Sequence, residues 1–206
     1  MASARPWSAS TSPTCPSRTG WPSAAGDPGA VTADASDLGE WRDDDGVWFR
    51  RAARVIAVDA AGRVLMMRGV DPAAHDHVWW ITPGGGLEPD EDERAGAVRE
   101  LLEESGIRLD PAELAGPVAV RSAMFSFDGR PYRQDEVLFF ARLPESAHEL
   151  DTTGWTSIEQ ASVTELRWCT ADELDAVDEP IYPPALPSIV RGLLDRGWDG
   201  VAHTVD

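Results

Sequence analysis

Lysine and asparagine are missing from this chain of 206 residues, and all 18 of its basic residues are arginine. Both missing residues are encoded by A/T-rich codons, so their joint absence points to a GC-rich bacterial genome rather than to a chemical choice. Cysteine is nearly missing as well. Cys15 and Cys169 sit in unlike contexts, which argues against a disulfide framework and makes the cytoplasm the expected compartment. No apolar run approaches the roughly 20 residues of a membrane span, so no membrane partner is expected. The N-terminus also lacks the apolar stretch of a secretory signal. Positive charge is in short supply: 18 arginines face 36 acidic residues, a formal net charge of -18. With no basic stripe, a nucleic-acid polymer is not the expected partner. An anionic small molecule would be repelled unless a cation intervened.

What is present divides the chain in two. Residues 1–45 are rich in Ala, Ser, Pro, Gly and Asp and show neither helix nor strand periodicity. Such a segment buries too little apolar area to offset its ordering entropy, so a disordered tail is expected, with a short partner-binding motif at Trp7 and Trp21 the minor reading. An overextended gene start is an alternative reading of the same stretch. Residues 46–206 read as one domain. "RRAARVIAVDAAGRVLMMR" gives two strands around a turn at Asp59–Gly62, and "VWWIT" a third, stopped by Pro83 and three glycines. A helix follows from Asp92 to Ser105, with Ala95, Val98, Leu101 and Leu102 as its apolar stripe and Gly106 as its stop. "PVAVRSAMFSF" and "YRQDEVLFFARL" form a hairpin around Asp128–Gly129. "ELRWC" is a short strand, Thr170 and Glu173 form a capping box for the next helix, and "LPSIVRGLLDRG" is the last helix. Strands and helices mix without a regular βαβ repeat, which predicts an α/β fold with a mixed sheet flanked by helices.

The stretch "GGLEPDEDERAGAVRELLEESGI", Gly85 to Ile107, carries the chemistry. On a helix Glu100 neighbours Glu103 and Glu104, and each like-charge pair costs a few tenths of a kcal/mol. A solvated acidic face would account for E-x-x-E-E alone. The glycines just upstream change the reading, because their backbone can approach a ligand closely. Oxygen-only clusters suit hard cations such as Mg²⁺ or Mn²⁺. A glycine loop feeding a carboxylate helix is a cradle for metal-bound phosphates.

This segment resembles the Nudix box, G-x5-E-x7-R-E-U-x-E-E-x-G-U with U aliphatic. Gly85, Glu91, Arg99-Glu100-Leu101, Glu103-Glu104 and Gly106-Ile107 fill it without a departure. Seven fixed letters, each expected at about one position in fifteen, leave coincidence negligible. The resemblance to the Nudix hydrolases implies an α/β/α sandwich. It implies hydrolysis of a nucleoside diphosphate linked to another moiety, with Mg²⁺ or Mn²⁺. It implies Glu100, Glu103, Glu104 and the Gly85 carbonyl as metal ligands, with Glu91 and Arg99 holding them in place. A domain that senses a nucleotide without cleaving it is the alternative; the intact glutamates speak against it. A small-molecule nucleotide is the expected partner, and a homodimer is left open.

Substrate choice in the family lies outside the box. ADP-ribose-type enzymes tend to carry a proline about fifteen residues on, where this chain has Ser122-Ala123; the tyrosine of dinucleoside-polyphosphate types is missing as well. Arg68, Arg121 and Arg133 are candidate phosphate contacts. Trp79 and Trp80 should point to opposite faces of a strand, with core packing favoured for both over base stacking. His75 and His77 are expected in the preceding loop, with metal ligation the minor reading. For the catalytic base Glu159 is favoured, in "WTSIEQASVTELRW", with Glu165 as runner-up and Glu145 and Glu149 also available. Glu103 is the catalytic candidate within the box.

Overall fold

A computed structural model describes residues 41–146 and 149–206. The expected tail falls outside it as far as residue 40. Residues 41–45 do not belong with that tail: β1 (Arg42–Asp44) turns at Asp45-Gly46 and pairs antiparallel with β2 (Val47–Val58). Both turn residues take positive φ, which Gly and Asp tolerate. Then follow β3 (Val64–Asp71), β4 (Ala74–Ile81), β5 (Gly84–Gly86), α1 (Glu93–Ser105), β6 (Ala115–Phe127), β7 (Arg130–Arg142), α2 (Ser157–Ser162), β8 (Val163–Cys169), α3 (Ala171–Asp175), β9 (Ile181–Tyr182), α4 (Leu186–Arg196) and β10 (His203–Thr204).

The strands form one mixed sheet in the order β10-β6-β7-β2-β3-β4-β9, with β1 and β5 added to β2 and β8 to β3. β2 and β7 run parallel along their whole length, from Trp48 opposite Tyr132 to Val58 opposite Arg142. β2 and β3 meet only at Val58 and Val64, so the two strands expected around the Asp59 turn splay apart. That splay opens the sheet. β5 fills part of the gap by pairing its three glycines with Ala52, Ala53 and Arg54.

Strand alternation splits the core in two. Ala53, Val55, Ala57, Phe139 and Ala141 pack with Leu101 and Ala97 of α1 on one face. Ile56, Val58, Leu138 and Phe140 pack with Leu174, Leu186, Ile189 and Val190 of α3 and α4 on the other. The result is an α/β/α sandwich. Helix α1 is capped by Asp92, whose side chain accepts from the Arg94 and Ala95 N–H groups, and it ends on Gly106 in the left-handed region. Its buried stripe is rotated from the expected one. Ala97, Leu101, Glu104 and Ser105 are buried, whereas Ala95, Val98 and Leu102 are only partly covered. A glutamate on the inner face is the reason that hydropathy alone misplaces the stripe. No helix among the described residues is long and apolar enough to cross a membrane.

Candidate active site

On the α4 face the residues of β2 and β7 change character along the strands. Ile56 and Val58 give way to Arg54 and Arg50; Leu138 and Phe140 give way to Glu136, Gln134 and Tyr132. Among the described residues neither α3 nor α4 lines this end, and a cleft of about 520 Å³ lies over it. Met67 and Gly69 of β3, His77 and Trp79 of β4, the β5 glycines, and Arg121, Phe125 and Phe127 of β6 also line it.

One end of the cleft is acidic. Glu100, Glu104 and Glu159 each bring a carboxylate oxygen within 4.8 Å of the others. Glu104 is 4 % exposed, and its Oε2 accepts a hydrogen bond from the Gly84 N–H at 2.6 Å. Burial, then the neighbouring Glu100, push its carboxyl well above the usual range. Burial also raises Glu100, against the pull of Arg99. Two desolvated carboxylates facing each other are a poor arrangement for a bare protein and a good one for a divalent cation. Position 85 fits the same reading. A Cβ there would stand 2.6 Å from Glu100 Oε2, so only glycine leaves the carboxylate its place. The residues present therefore suit a hard cation.

Arg99 organises the acidic end. It donates to both oxygens of Glu91, to Glu100 Oε1 at 2.8 Å, to Glu103 Oε2 at 3.2 Å and to the Gly86 carbonyl at 2.9 Å. The expected pairing with Glu103 or Glu100 is thus only part of its work. Glu103 stays on the outer, exposed side of α1 and is not in the tight cluster. Glu159 takes the third place. It is the capping-box residue of α2, with Oε2 accepting from the Thr156 N–H and hydroxyl. The Trp155 indole N–H donates to the Glu104 carbonyl at 2.8 Å, and the Asp151 N–H to the Ser105 carbonyl, so this segment is pinned to the end of α1. Glu159 need not swing far to reach the cluster. Glu165 lies on β8 beside Arg167, and Glu145 and Glu149 are exposed; none of the three lines the cleft.

Beyond the carboxylates the floor is basic. Arg54 donates to Glu136 Oε1 at 2.7 Å and to the Thr82 and Gly84 carbonyls, tying the glycine loop to the sheet. Burial works against the charge of Glu136, but Arg54 and Arg121 outweigh it and hold the carboxyl below its usual value. Arg121 Nε lies 2.8 Å from Glu136 Oε2, yet off the hydrogen-bond direction, and its Nε and Nη1 have no hydrogen-bond partner. Its side chain is only 8 % exposed. Arg50 donates to Gln134 Oε1; burial and nearby Arg54 lower its pKa to about 10, which still leaves it charged at neutral pH.

Of the three arginines expected to meet phosphate, the structure brings only Arg121 into the cleft. Arg68 is taken up by Glu179, with bonds of 3.1, 3.0 and 2.5 Å. Arg133 points to the opposite face, over Phe49 and 3.6 Å from Asp44. Alternation along β7 separates it from Tyr132 and Gln134. The two tryptophans also part company. Trp80 is buried, its indole N–H on Glu179, whereas Trp79 lines the cleft instead of joining the core. His75 and His77 lie on β4 rather than in a loop, and neither joins a carboxylate cluster among the described residues. Arg50, Arg54, Gln134 and Glu136 escaped the sequence reading. Their signal was the spacing of polar residues at i, i+2 or i+4 along otherwise apolar strands.

The family model described as NUDIX domain matches residues 48–189. An RNA pyrophosphohydrolase of Erythrobacter litoralis is 26% identical over 157 residues, 72% of this chain and 93% of its own length. A MutT-like protein of Streptomyces ambofaciens is 41% identical over 61 residues, 30% of this chain and 36% of its own. Among solved structures, a MutT protein from Methanosarcina mazei aligns with 73% of this chain and 95% of its own at 16% identity and a TM-score of 0.49. With an unbroken box from Gly85 to Ile107 and a family match over most of its length, the chain belongs to the Nudix family and is a Nudix-type pyrophosphohydrolase.

Proposed function

We propose that the cleft hydrolyses the pyrophosphate bond of a nucleoside diphosphate linked to another moiety, with Mg²⁺ or Mn²⁺ held at the acidic end. The observation that carries this reading is the approach of Glu100, Glu104 and Glu159 to within 4.8 Å beside a glycine loop and a basic floor. Glu100, Glu104 and the Gly85 carbonyl would hold the cation, with Glu103 adding a ligand from the solvent side once it leaves Arg99. When bound, the cation neutralises phosphate charge, orients the phosphates and lowers the pKa of the attacking water.

The chain's own residues do the rest. Arg99, clamped by Glu91, fixes the direction of Glu100. Arg121 offers its unpartnered N–H groups to a phosphate oxygen, and Arg50 adds charge beside it. Glu159 takes the proton of the attacking water; Thr156 holds one of its oxygens and leaves the other for the proton. A nucleotide-sized substrate suits a net charge of -18 better than a long polyanion does.

A phosphate-release screen tests the reading. The panel is dNTPs, ADP-ribose, nucleotide sugars, dinucleoside polyphosphates and NADH, each with Mg²⁺, Mn²⁺ or chelator. A 5′-triphosphorylated RNA oligonucleotide belongs in it because of the name of the Erythrobacter relative. Metal-dependent turnover of a nucleotide-sized member supports the proposal; turnover of the RNA alone, or of nothing, contradicts it.

A further inference from the structure

The end of the cleft away from the carboxylates is walled by rings. Phe125 and Tyr132 are stacked, with centroids 5.6 Å apart and planes at 15°. Phe127 stands edge-on to Tyr132 at 6.4 Å, and Trp79 edge-on to Phe127 at 6.3 Å. Trp79 packs closely against Gly69, where a Cβ would come within 2.5 Å of its indole. The last ring comes from outside the family-matched segment. Trp41, the residue before β1, sits edge-on to Tyr132 at 4.6 Å and to Phe125 at 6.3 Å, and the Arg50 guanidinium lies 4.3 Å over its face. The β1 arm therefore completes a wall that the family domain alone leaves open.

The chemistry of this wall limits how it can recognise a ligand. Bidentate pairing with a base edge needs an amide, a carboxylate or a guanidinium. The cleft's lining holds no asparagine or aspartate, and its glutamates belong to the acidic end or to the Arg54 and Arg121 cluster. Gln134 is the single lining amide, and it is spent: Oε1 accepts from Arg50, and Nε2 donates to Glu136. Of the lining guanidiniums, Arg50 is held between Trp41 and Gln134, Arg54 by Glu136 and the Thr82 and Gly84 carbonyls, and Arg99 by the acidic end, while Arg121 is the phosphate contact of the reading above.

We propose that this aromatic end, completed by Trp41, binds the base of the substrate through its ring face rather than its edge. The inference rests on the nucleotide reading above. Stacking tolerates any base, because each has a π-face. Larger faces gain more contact, so purines should bind more tightly than pyrimidines, while adenine and guanine are poorly told apart.

The test is calorimetric titration of nucleoside 5′-monophosphates with Mg²⁺ present. These ligands have no pyrophosphate bond, so the result is independent of whether the enzyme hydrolyses anything. Wild type should bind AMP and GMP within a few-fold of each other, CMP and UMP more weakly, and ribose 5-phosphate weakest. Trp41→Ala should weaken AMP by about 5- to 100-fold, the change that loss of one stacking ring brings. It should leave ribose 5-phosphate unchanged, which a general loss of folding would not do. Trp41→Phe keeps a ring and should restore most of the AMP affinity. Equal AMP binding by wild type and Trp41→Ala, a strong preference between AMP and GMP, or AMP binding no tighter than ribose 5-phosphate would each overturn the proposal. Should the monophosphates behave as stated while the panel shows no turnover, the hydrolase reading fails and the base clamp stands.

Discussion

Arg99 and Glu91, eight residues apart in sequence, meet through two hydrogen bonds of 2.9 Å each. This paired contact anchors a guanidinium that also reaches Glu100, Glu103 and the Gly86 carbonyl. A lysine has the charge but not the planar fork, and it cannot span these partners. Arg99→Lys should therefore weaken Mn²⁺ binding by about 10- to 100-fold, the usual effect of losing a group that orients a ligand. Titration calorimetry would show it, and an unchanged affinity would remove Arg99 from the site.

The buried Glu104 predicts a pH dependence in metal-free protein. Its folded pKa lies well above 4.5, so the folded state holds its proton to higher pH than the unfolded state does. Stability is then lost as pH rises past about 4.5, until the folded pKa is exceeded. Glu104→Gln has no proton to lose and can still accept from the Gly84 N–H. In chelator its Tm advantage over wild type should widen as pH rises above about 4.5. Saturating Mn²⁺ should reverse that advantage by stabilising only the wild type. A difference in Tm that stays flat with pH would contradict the desolvated carboxylate.

Two adjacent glycines should fail in different ways. Gly84 has φ of +137°, and a Cβ there would stand 2.3 Å from the Ala53 carbonyl oxygen. Gly84→Ala should cost about 1–3 kcal/mol or more of stability. At Gly85 the obstacle is the movable Glu100 carboxylate. Gly85→Ala should melt close to wild type but bind Mn²⁺ weakly. Denaturation curves and metal titrations separate the two, and equal Tm losses would refute the distinction.

Arg121 is a candidate for a residue kept at a cost to stability. Its guanidinium is buried with unpartnered N–H groups, and Glu136 retains Arg54 without it. Arg121→Met should leave Tm unchanged or higher. KM should rise by about 10- to 100-fold, the scale of a charge-assisted hydrogen bond to the substrate. A lower Tm with an unchanged KM would make Arg121 structural.

The sequence carries the box and most of the longer elements because both rest on local signals: fixed spacing, periodicity, capping residues and glycines. The Asp92 cap and the Gly106 stop of α1 are of this kind. The floor of the cleft is not. Arg50, Arg54, Gln134 and Glu136 come together because β2 and β7 pair in parallel over about eighty residues of separation, with Arg54 opposite Leu138 and Ala52 opposite Glu136. Register decides that Arg121 enters the cleft while Arg133 turns away, and no composition reports register. Trp41 illustrates the same limit. It belongs by composition to the tail and by packing to the cleft, since its partners Tyr132 and Phe125 are distant in sequence.

The most direct test of the account is Mn²⁺ titration combined with turnover for wild type, Glu100→Gln, Glu104→Gln and Glu159→Gln, on a substrate found in the screen. Glu100→Gln and Glu104→Gln should lose both metal binding and activity while remaining folded. Glu159→Gln should bind Mn²⁺ near the wild-type affinity and lose about 10²–10⁴ in kcat, the usual effect of removing a general base. Wild-type metal affinity in the Glu100 and Glu104 variants, or full turnover in excess chelator, would contradict the account.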